Sequence, residues 1–145
     1  MLSLSSRKMP LQPTDTKNVG NSDDGFRLTV YRNESAVRVD CWGFWPQEVA
    51  ESFAQETISS CRSAIPPIHL LVDASNLKPQ SEEGQAALRR VLRYLVTAEV
   101  ATAVVSARNI LTRMQLNRIA NESGVSSVVA FTDAAPIPWP SSSER

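Results

Sequence analysis

A carboxylate and two hydroxyl groups lie close together in the segment DASNLKPQS, residues 73–81. Asp73 and Ser75 follow an apolar run, and Ser81 precedes a stretch with helical spacing, so the free N–H groups of a helix start add to the set. This combination suits a phosphate group, either bound from solution or attached to a serine. A purely structural interpretation is also open, in which Asp73 and Ser75 form a turn and Ser81 only caps the helix.

The rest of the chain offers few other catalytic groups. His69 is the only histidine, and the motifs GxGxxG, GxxxxGK[ST], HExxH and GxSxG do not occur. A hydrolytic triad or a histidine-rich metal site would have to be built around that one residue. We therefore expect a protein that is not an enzyme, with no metal site and no cofactor.

Basic residues form a second group of interest, with seven basic against three acidic residues between Lys78 and Arg118. They fit a solvated face whose long side chains cover apolar surface, or a surface for an acidic protein partner or a phosphorylated ligand. Nucleic acid is not expected, because aromatic residues are not interleaved with the arginines. The arginines of interest lie opposite the leucines of one predicted helix or bracket the start of the next: Arg89, Arg90, Arg93, Arg108 and Arg113.

Aromatic residues cluster at Trp42, Phe44 and Trp45, where a predicted strand gives way to a helix. They can pack that corner, with at least one indole at the surface. Alternatively, Trp45 can anchor a protein interface.

Alternating and helical spacings of apolar residues predict the elements that position these groups. A β-hairpin precedes three helices that alternate with strands, and the later strands are expected to be parallel through right-handed crossovers. In the third helix, Leu111 and Met114 are expected in the core with Leu116 and Ile119. The predicted elements are strands at 26–31 and 37–41, a helix at 46–63, a strand at 68–72, a helix from 81, a strand at 101–106, a helix from 109 to 124 and a strand at 128–131.

The pattern defines a single α/β domain at 26–134, an N-terminal hairpin leading into a mostly parallel sheet with three crossover helices. Residues 1–25 are rich in small polar residues and are predicted to be a flexible tail. Residues 135–145 contain three prolines and then a run of serines, and are predicted to be a second tail.

Fifteen basic and fifteen acidic residues cancel, so no global charge favours nucleic acid or an anionic membrane. Cys41 and Cys61 form no CxxC pair, which argues against a disulfide scaffold or a zinc site. No run of 18 apolar residues occurs, and no secretory signal is recognisable. We therefore expect a cytoplasmic protein that does not associate with membranes.

The segment Leu70-Leu71-Val72-Asp73-Ala74-Ser75-Asn76-Leu77 resembles the end of the third strand and the following loop of STAS domains of the SpoIIAA-like, anti-sigma-factor antagonist type. In that family an Asp is followed by two small hydroxyl residues, then Gly and Leu. The predicted order of strands and helices from Phe26 to Phe131 is similar as well. By position, Ser75 stands at the family's regulatory phosphoserine, in a switch loop formed by Asp73, Ala74, Asn76, Leu77 and Ser81.

The resemblance implies a bacterial signal-transduction module, without enzymatic activity, that binds a protein partner. It also implies that phosphorylation of Ser75 by a kinase breaks the binding, because about two negative charges enter the interface. The implied partner is a serine kinase or an anti-sigma factor. An alternative on the same fold is a sensor or carrier of a small molecule or lipid, held between the first helix and the sheet. The sequence does not indicate an oligomeric state.

Overall fold

The computed structural model describes residues 13–98, 100–124 and 129–132. Six strands and three α-helices are found there, with a 3-10 turn at Arg32–Glu34. In chain order they are β1 (Asp15–Gly20), β2 (Gly25–Tyr31), β3 (Ala36–Gly43), α1 (Gln47–Ser63), β4 (Ile68–Leu77), α2 (Glu82–Thr97), β5 (Val100–Ser106), α3 (Ile110–Ser123) and β6 (Val129–Thr132).

The strands form one mixed sheet in the order of the chain, β1 to β6. β1, β2 and β3 pair antiparallel, and β3 to β6 pair parallel. Each parallel pair is separated in the chain by one helix, as parallel strands require a long connection. The structure confirms the predicted α/β class, and the carboxyl ends of β3 to β6 lie at one edge of the sheet.

The three helices cover the same face of the sheet. One core cluster contains residues of all three helices together with alternate residues of the strands, such as Val39, Val72 and Val105. α2 contacts both α1 and α3. Described residues that point to the other face form a small cluster around Ala36 and Leu71. Because none of the described helices lies on this second side, we call it the helix-free face.

Part of the predicted N-terminal tail is a strand. Residues 15–20 form β1 and pair with β2 from Asp15 opposite Val30 to Gly20 opposite Gly25. Among these six residues only Val19 packs against the core, so backbone hydrogen bonds rather than apolar burial place this strand. Composition therefore does not reveal it. Residues 1–12 and the second predicted tail, 135–145, lie outside the described residues.

β4 is longer than the apolar pattern predicts, because it continues through Leu77. Its last residues pair with β3 after a shift in register, which brings Trp42 opposite Asn76 and Gly43 opposite Leu77. The side chains of Ala74 and Leu77 are fully buried in the core. The first five residues of the segment expected as a loop, 73–77, are therefore strand.

The helix starts follow the predicted capping residues. The side chain of Ser81 accepts a hydrogen bond from Gly84 N, and that of Asn109 accepts from Leu111 N and Thr112 N. α3 ends at Ser123 and is followed by Gly124, whose φ of 77° is the left-handed cap expected of a glycine.

Of the four residues of α3 that are predicted to lie in the core, the prediction is confirmed for two and wrong for the other two. Leu116 and Ile119 are buried, but Leu111 and Met114 are exposed. This difference follows from the rotation of α3 about its axis. The hydroxyl of Thr112 donates to Leu77 O at 2.8 Å, so the side of the helix that carries Thr112 faces the sheet. Spacing alone does not distinguish a stripe centred on Thr112 from one centred on Leu111.

Candidate functional site

Asp73 and Ser75 lie on the helix-free face of β4, near its carboxyl end. Between them in the chain, Ala74 points to the core on the other side of the sheet. Asp73 lies directly opposite Asp40 on β3 and Ser106 on β5. Three polar residues therefore form a row across three neighbouring strands.

Two carboxylates side by side on adjacent strands repel each other unless a cation lies between them. Arg38, two residues before Asp40 on β3, provides that cation. Its Nη2 lies 3.0 Å from Asp40 Oδ1 and 3.4 Å from Asp73 Oδ2. Its Nε also donates to both oxygens of Asp40, at 3.1 and 3.2 Å.

The charge of Arg38 is stabilised by this arrangement. Burial by itself lowers the pKa of Arg38, but the hydrogen bond and charge of Asp40, together with the charge of Asp73, outweigh burial and raise it. The guanidinium is therefore a permanent cation between the two carboxylates.

Ser75 contacts one residue on its own strand and one on β5. Its backbone N–H donates to Asp73 Oδ1 at 3.0 Å, and its hydroxyl oxygen lies 3.2 Å from Ser106 Oγ. Ser106 is 1% exposed, whereas Ser75 is half-buried. The pairing of β4 with β5 ends at Asp73, so Ser75 lies just beyond the last paired residue of that side. We call Arg38, Asp40, Asp73, Ser75 and Ser106 the Ser75 cluster.

The rest of the predicted loop is fixed in place by Gln80. The side chain of this buried residue donates to Gly43 O at 3.0 Å and accepts from Trp45 N at 3.0 Å. Gln115 on α3 accepts from Gln80 N at 2.8 Å and donates to Gln80 O at 3.1 Å. The connection between β4 and α2 is thus attached to β3, to the link between β3 and α1, and to α3, and it leads directly into the helix cap Ser81.

The predicted arginines of α2 are not brought to Ser75. α2 lies on the helix-covered face, whereas Ser75 points to the other side. Arg90 and Arg93 are exposed, and Arg89 lies 3.3 Å from Glu122 on α3. Arg108 is exposed just before α3, and Arg113 is half-buried on it.

Trp45 is a core residue rather than a surface anchor. It is 1% exposed, packs against Phe26 and Phe53, and donates its indole N–H to Gly25 O at 3.0 Å. Trp42 is the half-buried indole of this corner, and Phe44 is the exposed ring. Trp45 therefore cannot contact a partner directly.

Sequence reasoning misses Arg38, Asp40 and Ser106 as members of the site. Arg38 and Asp40 alternate with Val37, Val39 and Cys41, which is the ordinary pattern of a strand with one solvated face. The register of β3 against β4 brings them to Asp73, and a single sequence does not give that register. The one available signal is the pair of charged residues, two positions apart, on a strand next to the predicted site.

The carboxylate of Asp73, the acid nearest Ser75 in the chain, already has a partner at each of its two oxygens. Asp73 accepts a hydrogen bond from the backbone N–H of Ser75, and its other oxygen faces Arg38. Such a carboxylate orients the chain at Ser75 rather than withdrawing a proton from its hydroxyl.

None of the helices in the described part of the chain has the length and apolar character needed to cross a bilayer. Comparison with protein-family models finds no match to this chain, and comparison with curated proteins finds none either.

Proposed function

We propose that this protein is a regulatory module without enzymatic activity, which binds a protein partner at the Ser75 cluster and is switched by phosphorylation of Ser75. The observation that carries the proposal is the position of Ser75. Ser75 is half-buried near the end of β4, just past the last residue that pairs with β5, and it adjoins the charged residues Asp73, Asp40 and Arg38.

The electrostatic effect follows from the charges already present. Arg38 contributes one positive charge, and Asp40 and Asp73 contribute two negative charges, so the net charge is about −1. A phosphate adds about −1.5 to −2 at pH 7. The phosphorylated cluster would then carry about −3, with Arg38 as the single cation among its five residues.

The phosphate would also alter the local geometry. Asp73 Oδ1 bonds to the amide of the same residue that would carry the phosphate. Repulsion between the two anions weakens that hydrogen bond and draws Arg38 toward the phosphate. A partner that fits the unmodified surface would therefore meet both a changed charge and a changed shape.

The resemblance to STAS domains supports the same proposal. In a SpoIIAA-like arrangement, the hairpin β2–β3 leads into the parallel strands β3 to β6, and α1, α2 and α3 are the crossover helices. We extend the proposal to a cytoplasmic partner that is a serine kinase or an anti-sigma factor.

A comparative capture experiment tests the proposal. Wild-type protein, Ser75→Asp, Ser75→Ala and Gln55→Glu are immobilised and exposed to extract of the cells that make the protein. Gln55 is exposed on α1, so its substitution adds a negative charge away from the cluster. We expect a protein that is retained by wild type, Ser75→Ala and Gln55→Glu but is lost with Ser75→Asp. Identical profiles for all four would rule out the switch.

A cleft beneath α1 favours a second candidate, a small-molecule sensor. It measures about 190 Å³, lies between α1 and the ends of β2 and β3 away from the Ser75 cluster, and is lined by Tyr31, Ser35, Ser59, Ser60 and Ser63 among others. This volume is below the roughly 300 Å³ at which ligand pockets begin, and the lining is rich in hydroxyls. It fits a small polar ligand better than a lipid.

Native mass spectrometry of the purified chain tests this candidate. We expect a bound ligand to appear as added mass on the wild-type protein and to be absent from Ser60→Leu; a spectrum of bare wild-type protein would exclude the candidate.

A further inference from the structure

We propose that the first half of α3 is a docking surface for an acidic amphipathic helix of a protein partner. The surface consists of Ile110, Leu111 and Met114, which we call the α3 patch. The inference rests on the proposed function only in that the chain binds a protein; it does not depend on Ser75.

Three large apolar side chains are exposed together on this helix. Ile110 is 69% exposed, Leu111 57% and Met114 62%. Met114 lies four residues after Ile110 and three after Leu111, and residues at these spacings are neighbours on a helix surface, so Met114 links the other two into one patch. Single exposed apolar residues are ordinary on a protein surface, whereas contiguous exposed apolar groups are a feature of interaction sites.

Among the described residues, the contacts of α3 hold the α3 patch away from the core. Thr112 is bonded to Leu77 O, and the side chain of Gln115 is bonded to both backbone groups of Gln80. Leu116 and Ile119 fill the core on the same side of the helix. These contacts fix the rotation of α3, so the patch faces outward.

The charges around the patch indicate what kind of partner it fits. The N-terminus of α3 carries the positive end of the helix dipole, and no acidic residue lies in its first turn. Arg108 is exposed two residues before the helix. Lys78 is also exposed, and it lies two residues before Gln80, whose backbone N–H donates to the side chain of Gln115 on α3. Glu122, the acidic residue of α3, lies in the last turn beside Arg89 and Arg118.

An apolar patch bordered by positive charge complements a helix with an apolar stripe and carboxylates along its edges. A nucleic acid fits less well, because the patch has no aromatic ring for base stacking. An anionic membrane would also be attracted by the positive charge, and binding to phosphatidylglycerol vesicles distinguishes it from a peptide partner.

Two synthetic peptides with the same leucine stripe serve as probes, one flanked by glutamates and the other by lysines. Their binding to the full-length protein is measured by fluorescence anisotropy at low and high salt. We expect the acidic peptide to bind at least tenfold more tightly than the basic peptide, and to weaken as salt is added.

The double variant Leu111→Ser/Met114→Ser is expected to lose at least tenfold in affinity for the acidic peptide. Val96→Ser is the matched control, because Val96 is 55% exposed on α2, outside the patch. Equal thermal midpoints would show that the variants are folded. The inference would be overturned if neither peptide bound, if both bound equally, or if the two variants lost affinity equally. It would also be overturned if the protein bound phosphatidylglycerol vesicles through the patch but did not bind the peptides.

The two proposals fail separately. Peptide binding reports on the α3 patch, whereas capture by Ser75→Asp reports on the Ser75 cluster. If no peptide binds but capture still depends on Ser75, only the α3 inference falls. If the acidic peptide binds through the patch and capture ignores Ser75, only the switch falls.

Discussion

Arg38 and Asp73 join two neighbouring parallel strands through an ion pair, with 3.4 Å between Nη2 and Oδ2. Asp73 lies directly opposite a second carboxylate, Asp40, so the pair also relieves repulsion between β3 and β4. The Asp73 side chain is only 10% exposed and cannot rely on water instead. The stability of the candidate site therefore depends on one arginine.

Replacing that arginine gives the first prediction. Arg38→Met keeps most of the apolar stem but leaves two partly buried carboxylates without their cation. We expect the free energy of unfolding to fall by about 2 kcal/mol, measured by urea denaturation. Arg27→Met is the control, since Arg27 is exposed and bonded to Asn18, and a change within about 0.5 kcal/mol is expected there. Equal losses in the two variants would contradict the account.

The second prediction concerns the two hydrogen bonds from the Gln115 side chain to the backbone of Gln80. Gln115→Leu leaves the Gln80 N–H without its partner. We expect a loss of about 1–2 kcal/mol and faster hydrogen exchange at the Gln80 amide, followed by NMR. Gln55→Leu, at an exposed position of α1, should leave that exchange rate unchanged. Unaltered exchange in Gln115→Leu would show that the connection is held by other contacts.

The third prediction compares two glycines with positive φ. Gly43 has φ +81°, and an added Cβ would lie 2.1 Å from the backbone oxygen of Asp23. Gly124 has φ +77°, but apart from its neighbours in the chain an added Cβ meets no atom of the described residues within 4 Å. We expect Gly124→Ala to cost about 1 kcal/mol from backbone strain alone, and Gly43→Ala to cost about 3 kcal/mol or more. Thermal unfolding of both variants checks this, and similar losses would refute the clash at Gly43.

The fourth prediction is a pH dependence from a buried thiol. Burial raises the pKa of Cys61 from 9.0 to about 12, so above pH 9 the thiol ionises in the unfolded chain before it ionises in the folded one. The stability that the neutral, buried thiol contributes is fully present below pH 9. As pH rises from 9 toward 12, this contribution to the free energy of unfolding falls by about 1.4 kcal/mol per pH unit. The stability difference between wild type and Cys61→Ala should therefore shrink between pH 9 and 11. A constant difference over that range would contradict the shift.

The apolar pattern is sufficient to predict the α/β class, the three helices and the strands that cross the core, because burial dictates those spacings. It does not reveal β1, whose six residues are placed by backbone pairing with β2 and bury almost no apolar surface. It also ends β4 too early, since Asp73 and Ser75 are polar although Ala74 and Leu77 continue the core face.

The candidate site is predictable only in part for a related reason. Asp73 and Ser75 are adjacent in the chain, so a local pattern identifies them. Arg38 and Ser106 reach them through the registers of β3 with β4 and of β4 with β5, and registers depend on the whole sheet. The rotation of α3, which exposes Leu111 and Met114, is likewise set by the contact of Thr112 with Leu77.

The central claim, that charge on Ser75 controls partner binding, is tested most directly with phosphoserine itself. The full chain is prepared with phosphoserine or serine at position 75, and binding to the partner isolated by the capture experiment is measured before and after phosphatase treatment. The account predicts at least tenfold weaker binding of the phosphorylated chain and recovery after phosphatase. Equal affinity of the two forms would contradict it.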